Sequence, residues 1–250
     1  GQGTIGMEIL SELPLVDCIL VPVGGGGLAA GVSTLVKLFN PRIRVIGVEP
    51  EGAACLSASL KNGKVTTLAA VNTIADGTAV KTPGPVIFPY LRDHLDEVIT
   101  VPDEELVTAF LDMVENHKMI VENSGLLSVA ALRHLDCRGK KVVAVLSGGN
   151  MDVITMSSVV QNGLVLRSRI FTVAVQLPDK PGELSRVSGV IAQAGGNVIR
   201  LEHNQFVSIN RTAAVELRIT LEAFGPEHKE QILGALEQER YRPSIIQTQI

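Results

Sequence analysis

The stretch Val21-Pro22-Val23-Gly24-Gly25-Gly26-Gly27-Leu28-Ala29-Ala30-Gly31 places four consecutive glycines between an apolar run and a helical pattern. The apolar run before the glycines is typical of a strand that is buried on both faces of a parallel sheet. Glycines let an anion approach the backbone N–H groups at a helix start, where the helix dipole favours negative charge. The stretch therefore predicts a phosphate-binding site, and a tight turn without a ligand is the alternative.

Strand and helix patterns alternate up to about residue 160, which is typical of an open, mostly parallel α/β sheet with helices on both faces. We predict strands at 18–23, 44–48, 97–101 and 141–147. We predict helices at 5–13, 28–39, 52–61, 87–95, 103–116 and 124–135. Parallel strands carry their ligands at the edge where their carboxyl ends meet, so we expect the site at that edge.

From Ile170 onward the order changes to strand, helix, strand, strand, helix, strand, which is the ferredoxin-like βαββαβ order. The strands are predicted at 170–176, 197–203, 211–220 and 244–249, and the helices at 182–194 and 226–239. This change of pattern predicts two domains, 1–166 and 167–250.

Composition narrows the class of protein. Hydrophobic residues make up 46% of the 250 residues and charged residues 19%, and the net charge is −4. The scattered basic residues argue against nucleic acid as a partner, and no apolar run approaches the ~20 residues of a membrane span. The odd set Cys18, Cys55 and Cys137 predicts reduced thiols in a cytoplasmic protein, and no Cys/His spacing indicates a metal site.

A second glycine-containing turn, Ser147-Gly148-Gly149, follows the last predicted strand of the first domain. Because parallel strands share one carboxyl edge, we expect Ser147 and the tetraglycine turn to face the same crevice. A hydroxyl can donate to or accept from a ring nitrogen, so a phosphorylated heterocycle suits both turns. A turn without a ligand remains the alternative.

A dinucleotide fingerprint is a competing interpretation of the first turn. Gly24-x-Gly26-x-x-Ala29 fits it, and Glu49, about 20 positions further on, would hold a ribose. However, a helix rather than a strand opens the chain, and the turn at Ser147 is left unexplained.

Five motifs occur in an order and spacing that resemble the serine/threonine dehydratase group of pyridoxal-phosphate enzymes. They are Gly1-Gln2-Gly3-Thr4-Ile5, Val23-Gly24-Gly25-Gly26-Gly27, Gly47-Val48-Glu49-Pro50, Thr73-Ile74-Ala75-Asp76-Gly77 and Leu146-Ser147-Gly148-Gly149-Asn150. The later segment Leu177-Pro178-Asp179-Lys180-Pro181-Gly182-Glu183-Leu184 resembles an ACT domain, a small-molecule sensing module. The combination is similar to threonine ammonia-lyases with one ACT domain, whose catalytic domain has pyridoxal-phosphate fold type II.

The resemblance implies a cofactor and a reaction. Pyridoxal 5'-phosphate would rest its phosphate on Gly24, Gly25, Gly26, Gly27 and the N–H of Leu28, and Ser147 would hydrogen-bond its pyridine nitrogen. The implied reaction is β-elimination, which converts L-threonine to 2-oxobutanoate and ammonia.

Further residues match family positions that line the cofactor or the substrate, namely Glu122, Asp76 and Gly77. Each has an alternative interpretation, as a helix-start acid for Glu122 and as a turn for Asp76 and Gly77. Glu49 matches a cation ligand of related racemases, but Cys55 stands where those proteins carry an acid. A thiol is a poor ligand for a hard cation, so a strand-end carboxylate without metal is favoured.

The resemblance also implies regulation. An amino-acid effector, such as isoleucine or valine, would bind between paired ACT domains at Asp179, Pro181, Gly182, Glu183 and Asn197, and the same pairing would make the protein a homo-oligomer. A capping turn without a ligand is the alternative.

The Schiff-base lysine of the family is expected outside this sequence. No Ser-Phe-Lys-type motif occurs here, so we predict that the chain is the C-terminal part of such an enzyme and is inactive by itself. The competing hypothesis is a non-catalytic module that senses an amino acid and binds a nucleotide or phosphate in its α/β part.

Overall fold

The computed structural model describes residues 1–204 and 215–248. The chain folds as two units, Gly1–Val160 and Gln161–Ile250. A helix, Val153–Leu166, crosses this division, and the boundary that the sequence predicts after residue 166 falls at its end. In the described residues, no helix combines the length and apolarity that crossing a bilayer requires.

The first unit contains a parallel sheet. Its strands are β1 (Cys18–Pro22), β2 (Arg44–Pro50), β3 (Glu97–Val101) and β4 (Val142–Ala144). The strand order is β3-β2-β1-β4, and every pair is parallel. The predicted α/β fold with a parallel sheet is confirmed, and the carboxyl ends of β1 and β4 lie side by side.

Helices cover both faces of this sheet. They are α1 (Gly3–Glu12), α2 (Gly27–Phe39), α3 (Cys55–Asn62), α4 (Phe88–His94), α5 (Asp103–Asp112), α6 (Leu127–Ala130) and α7 (Val153–Leu166). The side chains of β1 alternate between two cores. Ile19 and Val21 pack with α1, α2 and α4, whereas Cys18 and Leu20 pack with α5, α6 and α7. Burial of a large apolar side chain contributes about 1.5–3 kcal/mol.

Two aspartates, at the edge of the sheet where the amino ends of the strands meet, accept hydrogen bonds from the backbone of adjacent strands. The Oδ2 of Asp17 accepts from the N–H of Lys141 at 2.7 Å, and its carbonyl accepts from the N–H of Arg44 at 3.0 Å. The Oδ2 of Asp96 accepts from the N–H of Val45 at 2.7 Å. Because both faces of β1 are apolar, burial alone does not penalise a one-residue slip, so these bonds help to fix the register.

The second unit contains an antiparallel sheet with two helices on one face. Its elements are β5 (Ile170–Leu177), α8 (Glu183–Gln193), β6 (Asn197–Asn204), β7 (Val215–Glu222), α9 (Pro226–Gln238) and β8 (Ser244–Ile246). The strand order is β6-β7-β5-β8. Val187 of α8 and Ile232 of α9 pack against Val173 of β5 and Ile219 of β7. We call the opposite face, which carries Thr172, the outer face.

Several boundaries differ from the prediction. The strand predicted at 141–147 is observed only over Val142–Ala144, and its pairing with β1 ends after one further hydrogen bond, from the N–H of Val145. The helix predicted at 124–135 is divided into a tight turn, Asn123–Leu126, then α6, then a second tight turn. The helix predicted at 103–116 ends at Asp112 and continues as one wider turn, Met113–His117.

Other predictions were incomplete. The helix predicted at 52–61 begins at Cys55, because Ala54 has non-helical dihedrals of φ −80° and ψ 58°. The helix α7 was not predicted at all. Of the strands predicted at 211–220 and 244–249, residues 211–214 and 249 lie outside the described residues.

Candidate functional site

The tetraglycine turn joins β1 to α2, and a side chain at either of two of its positions would crowd a neighbouring residue. Gly26 has a φ of +93°, and a Cβ there would lie 2.5 Å from the Cδ1 of Leu91. A Cβ on Gly24 would lie 3.0 Å from the Cα of Thr78. By contrast, a Cβ on Gly25 would meet no atom within 4 Å, so the turn opens onto free space on that side.

Backbone donors of the first turn of α2 face no carbonyl of their own helix. The first intrahelical bond runs from the N–H of Ala30 to the carbonyl of Gly26 at 2.9 Å. The N–H groups of Gly27 and Leu28 precede it and have no intrahelical acceptor. These free donors and the dipole of a 13-residue helix give the turn the chemistry that binding a phosphate group requires.

The turn at Ser147 lies at the same edge of the sheet. The pairing of β4 with β1 continues through a hydrogen bond from the N–H of Val145 to the carbonyl of Leu20 at 3.0 Å. Ser147 follows two residues later and is exposed. The structure therefore brings Ser147 and the tetraglycine turn to the carboxyl ends of adjacent parallel strands.

Glu122 lies directly against the turn that carries Ser147. Its N–H donates to the carbonyl of Gly148 at 3.2 Å, and its Oε2 accepts from the N–H of Asn150 at 3.2 Å. A Cβ on Gly148 would overlap with the Oε1 of Glu122, so a larger residue there would displace this carboxylate. The carboxylate thus binds the backbone of this turn.

Two residues that the sequence reasoning missed hold the loop before Asp76. The Oδ1 of Asp103 accepts from the hydroxyl of Thr73 at 2.6 Å, and its Oδ2 accepts from the N–H of Ile74 at 3.0 Å. The side-chain amide of Asn123 donates to the carbonyl of Ile74 at 3.0 Å. In the sequence, Asp103 is only the first residue of the helix predicted at 103–116, and no local signal marks Asn123.

Three of the predicted site residues meet in one cleft. Asp76, Gly77 and Glu122 line it together with Asn150, and its volume is ≈ 60 Å³. The contact between the loops is close, because a Cβ on Gly77 would lie 3.0 Å from the Oγ of Ser124. The two loops therefore form one continuous wall.

Glu49 is fully buried and its carboxylate binds the start of α3. Its Oε1 accepts from the N–H of Leu56 at 2.7 Å, and its Oε2 accepts from the N–H and the hydroxyl of Ser57 at 2.8 and 2.7 Å. Burial raises the pKa of Glu49 above its usual range. Burial and the adjacent Glu49 carboxylate raise the pKa of the Cys55 thiol to about 11.

These contacts oppose the dinucleotide interpretation, because both oxygens of Glu49 are engaged and hidden from a ribose. They equally leave no open coordination position for a cation at Glu49. Within residues 1–204 and 215–248, no group of three or more His, Cys, Asp or Glu side chains is arranged to hold a metal ion.

The predicted effector residues are divided in the second unit. Asp179, Pro181, Gly182 and Glu183 line a cavity of ≈ 180 Å³ after β5. Asn197 instead lies at the start of β6, where it is paired with Glu222 of β7. On its other side, Glu222 is paired with Ile170, which is the first residue of β5. Because β5 and β6 run in the same direction, Asn197 lies about 23 Å, or seven strand residues, from the loop. The structure does not bring Asn197 to the loop within one chain.

A parallel α/β sheet with a glycine turn at a helix start defines a class of proteins that bind phosphorylated ligands at the carboxyl edge. Residues 1–148 match the family described as pyridoxal-phosphate dependent enzyme. The chain belongs to this family, whose cofactor is pyridoxal phosphate. The family and the cofactor that the motifs indicated are thereby confirmed.

Named relatives extend over nearly the whole chain. The L-threonine ammonia-lyase of Geobacter sulfurreducens is 42% identical over 249 residues, which are 98% of this chain and 62% of that protein. The protein of the same name from Thermotoga maritima is 38% identical over 247 residues, with the same two shares. The chain thus spans less than two thirds of the length of these relatives.

The fold of the chain is also similar to that of solved structures. The processed form of threonine deaminase isoform 2 from Solanum lycopersicum superposes with a TM-score of 0.61 at 36% identity, over 64% of this chain and 48% of that one. Maize serine racemase superposes with a TM-score of 0.59 at 37% identity, over 64% of this chain and 52% of that one.

Proposed function

We propose that the chain is part of a pyridoxal-phosphate-dependent threonine ammonia-lyase, which converts L-threonine to 2-oxobutanoate and ammonia by β-elimination. The observation that carries the proposal is the open glycine turn at the start of α2 beside the turn that carries Ser147. Relatives named L-threonine ammonia-lyase, at 38–42% identity, support the choice of threonine as substrate.

In this proposal, residues Gly24–Gly27 and the N–H of Leu28 bind the cofactor phosphate, and the hydroxyl of Ser147 hydrogen-bonds the pyridine nitrogen. When bound, the cofactor supplies an electron sink for the charge left at Cα after proton loss. A hydroxyl does not hold the ring nitrogen protonated as a carboxylate would, which suits rapid expulsion of the β-hydroxyl.

The other residues of the site position these groups. Glu122 binds the backbone of the Ser147 turn, which fixes the place from which Ser147 reaches the cofactor. Asp103 and Asn123 hold Ile74, two residues before Asp76, so the part of the wall that Asp76 and Gly77 form stays in place. We assign Asp76 and Gly77 to the cofactor- or substrate-lining side of the cleft.

We further propose that this chain alone does not turn over threonine, since none of its lysines has the sequence setting of the family's Schiff-base lysine. Lys37, for example, lies at the amino edge of the sheet, where its Nζ contacts Asp96 at 2.7 Å. The three cysteines are free thiols, which supports a cytoplasmic location.

Cofactor binding and turnover test the proposal separately. We expect the full chain to bind pyridoxal phosphate in equilibrium dialysis, in competition with inorganic phosphate, and to form no 2-oxobutanoate from L-threonine. We expect Ser147→Ala to weaken binding by about 2- to 10-fold, through loss of one hydrogen bond, and the exposed control Ser11→Ala to change nothing.

A folded chain that does not bind pyridoxal phosphate would contradict the cofactor site. Formation of 2-oxobutanoate by the chain alone would contradict only the statement that it is inactive.

We also propose that the second unit is an ACT domain that senses an amino acid. The order β5-α8-β6-β7-α9-β8 and the sheet order β6-β7-β5-β8 support this assignment. The distance between Asn197 and the Asp179 loop supports a site shared by two copies of the chain. We therefore expect a dimer or larger assembly in sedimentation velocity, and saturable binding of isoleucine or valine that Asp179→Ala weakens.

A further inference from the structure

The outer face of the second sheet contains a polar depression that the proposed function does not use. Along one row of the sheet, Arg200 lies opposite Thr220, Thr220 opposite Thr172, and Thr172 opposite Ile246. The two threonines in the middle are short and almost fully buried, at 6% exposure each, so the longer flanking side chains stand above them as walls.

The depression encloses a volume of ≈ 210 Å³. One water needs only about 10–15 Å³ of such space, so there is room for a small organic molecule. The depression is lined by Thr172, Arg200, Glu202, Arg218, Thr220, Ile246 and Gln247. It shares no lining residue with the cavity at the Asp179 loop.

The floor offers hydroxyl groups to a ligand. The Oγ1 atoms of Thr172 and Thr220 are 3.0 Å apart and form one hydrogen bond. Two hydroxyls carry two hydrogens, and the bond between them uses one. The pair therefore retains one O–H donor and further lone pairs.

The walls carry charges of both signs. A terminal nitrogen of Arg200 contacts the Oε1 of Glu202 at 2.7 Å, and the Nε of Arg218 contacts the Oε1 of Glu216 at 2.7 Å. Glu202 lies directly opposite Arg218 on the neighbouring strand. A guanidinium has five N–H donors, and each contact uses one of them, so both arginines retain donors for a carboxylate.

We propose that this depression binds a small zwitterion, an L-α-amino acid with an aliphatic side chain. The ligand carboxylate pairs with Arg218 and accepts the one free threonine O–H, its ammonium group pairs with Glu202, and its side chain packs on Ile246. A phosphorylated ligand fits less well, because Arg200 and Arg218 are already paired with Glu202 and Glu216, so the four charges sum to zero and give no net attraction for a dianion. A planar base also fits less well, because no aromatic side chain lines the cavity.

Calorimetric titration of the full 250-residue chain with L-isoleucine tests this site. We expect Arg218→Gln to weaken binding at the outer face by about 10- to 100-fold, because a hydrogen-bonded charge pair is lost. The matched control is Arg138→Gln, since Arg138 is 92% exposed in the first unit and belongs to neither cavity. Circular dichroism confirms that each variant is folded.

The Asp179→Ala variant separates this site from the proposed effector loop. Binding that Arg218→Gln removes and Asp179→Ala leaves intact supports the outer-face site and contradicts the loop site. The reverse result overturns the outer-face site and leaves the loop proposal standing. If each variant removes one of two sites per chain, both stand, and a titration without saturable heat overturns both.

A second variant tests the recognition of the ammonium group independently of Arg218. Glu202→Gln should weaken L-isoleucine binding about tenfold and strengthen binding of 3-methyl-2-oxopentanoate, which has the carboxylate and the side chain but no ammonium group. Equal effects of Glu202→Gln on both ligands would overturn the assignment of Glu202.

Discussion

Replacing Glu49 with glutamine tests how a buried carboxyl group stabilises the first unit. Glu49 has 0% exposure and receives the N–H groups of Leu56 and Ser57 at 2.7 and 2.8 Å. Glutamine has nearly the same shape, but an NH2 group replaces one of its two acceptor oxygens. Whichever way the amide is oriented, its NH2 group faces one of these backbone N–H groups and cannot accept a hydrogen bond from it.

The size of the effect follows from that unpaired donor. A buried N–H without a partner costs about 1–3 kcal/mol, so we expect Glu49→Gln to lower the free energy of unfolding of the first unit by that amount at about pH 5. The side chain is fully buried, so solvent does not screen the loss.

The pH dependence has a definite sign. Burial raises the pKa of Glu49 above 4.5, so the folded state binds the proton more tightly than the unfolded state does. Stability of the native protein therefore falls as pH rises from 4.5 through the folded pKa. Glutamine does not titrate, so the stability difference between native protein and variant should narrow over this window.

Urea unfolding followed by tyrosine fluorescence measures this difference. The chain has two tyrosines and no tryptophan, so a Tyr241→Phe background leaves Tyr90 as the reporter of the first unit. The matched control is Glu51→Gln, because Glu51 is exposed two residues further on. A stability difference that widens as pH rises would refute the reasoning. It would mean that the hydrogen bonds from α3 lower the pKa of Glu49 by more than burial raises it.

Two further comparisons concern the candidate site. Gly26→Ala should reduce both stability, by about 2 kcal/mol or more, and pyridoxal phosphate binding, because alanine is strained at positive φ and its Cβ would clash. Gly25→Ala should leave the melting temperature unchanged and weaken only cofactor binding, since its Cβ would enter open space; equal melting temperatures for both variants would contradict this. Asp103→Ala should cost about 1–3 kcal/mol in thermal unfolding, because Thr73 loses its acceptor, whereas exposed Glu104→Ala should stay within about 0.5 kcal/mol. A similar loss in both would refute the role of Asp103.

Much of the first unit could be predicted because its signals are local. The tetraglycine turn lies within a few residues of its strand and helix, and β3 was predicted with its observed bounds. The helix α7 was missed because it shows no single apolar stripe, with Val153 and Ile154 at 77% and 80% exposure. A start signal was present, since the Oδ1 of Asp152 accepts from the N–H groups of Ile154 and Thr155.

The candidate site could be predicted only in part, because its contacts join distant segments. Thr73 and Asp103 are 30 residues apart, and Glu122 and Asn150 are 28 apart. Neither pair leaves a periodic pattern in a single sequence. Glu49 illustrates a different limit, since an acid at a strand end looks the same whether it binds a cation or a helix start.

The hydrogen bonds of Asp17 tie the placement of the cofactor turn to a residue that lies a full strand length away from it. A one-residue shift of β1 against β2 and β4 would move the glycines away from Ser147 by about 3.3 Å, more than a hydrogen bond tolerates. A random-mutagenesis screen for lost cofactor affinity should therefore return substitutions at Asp17, although this side chain never touches the ligand.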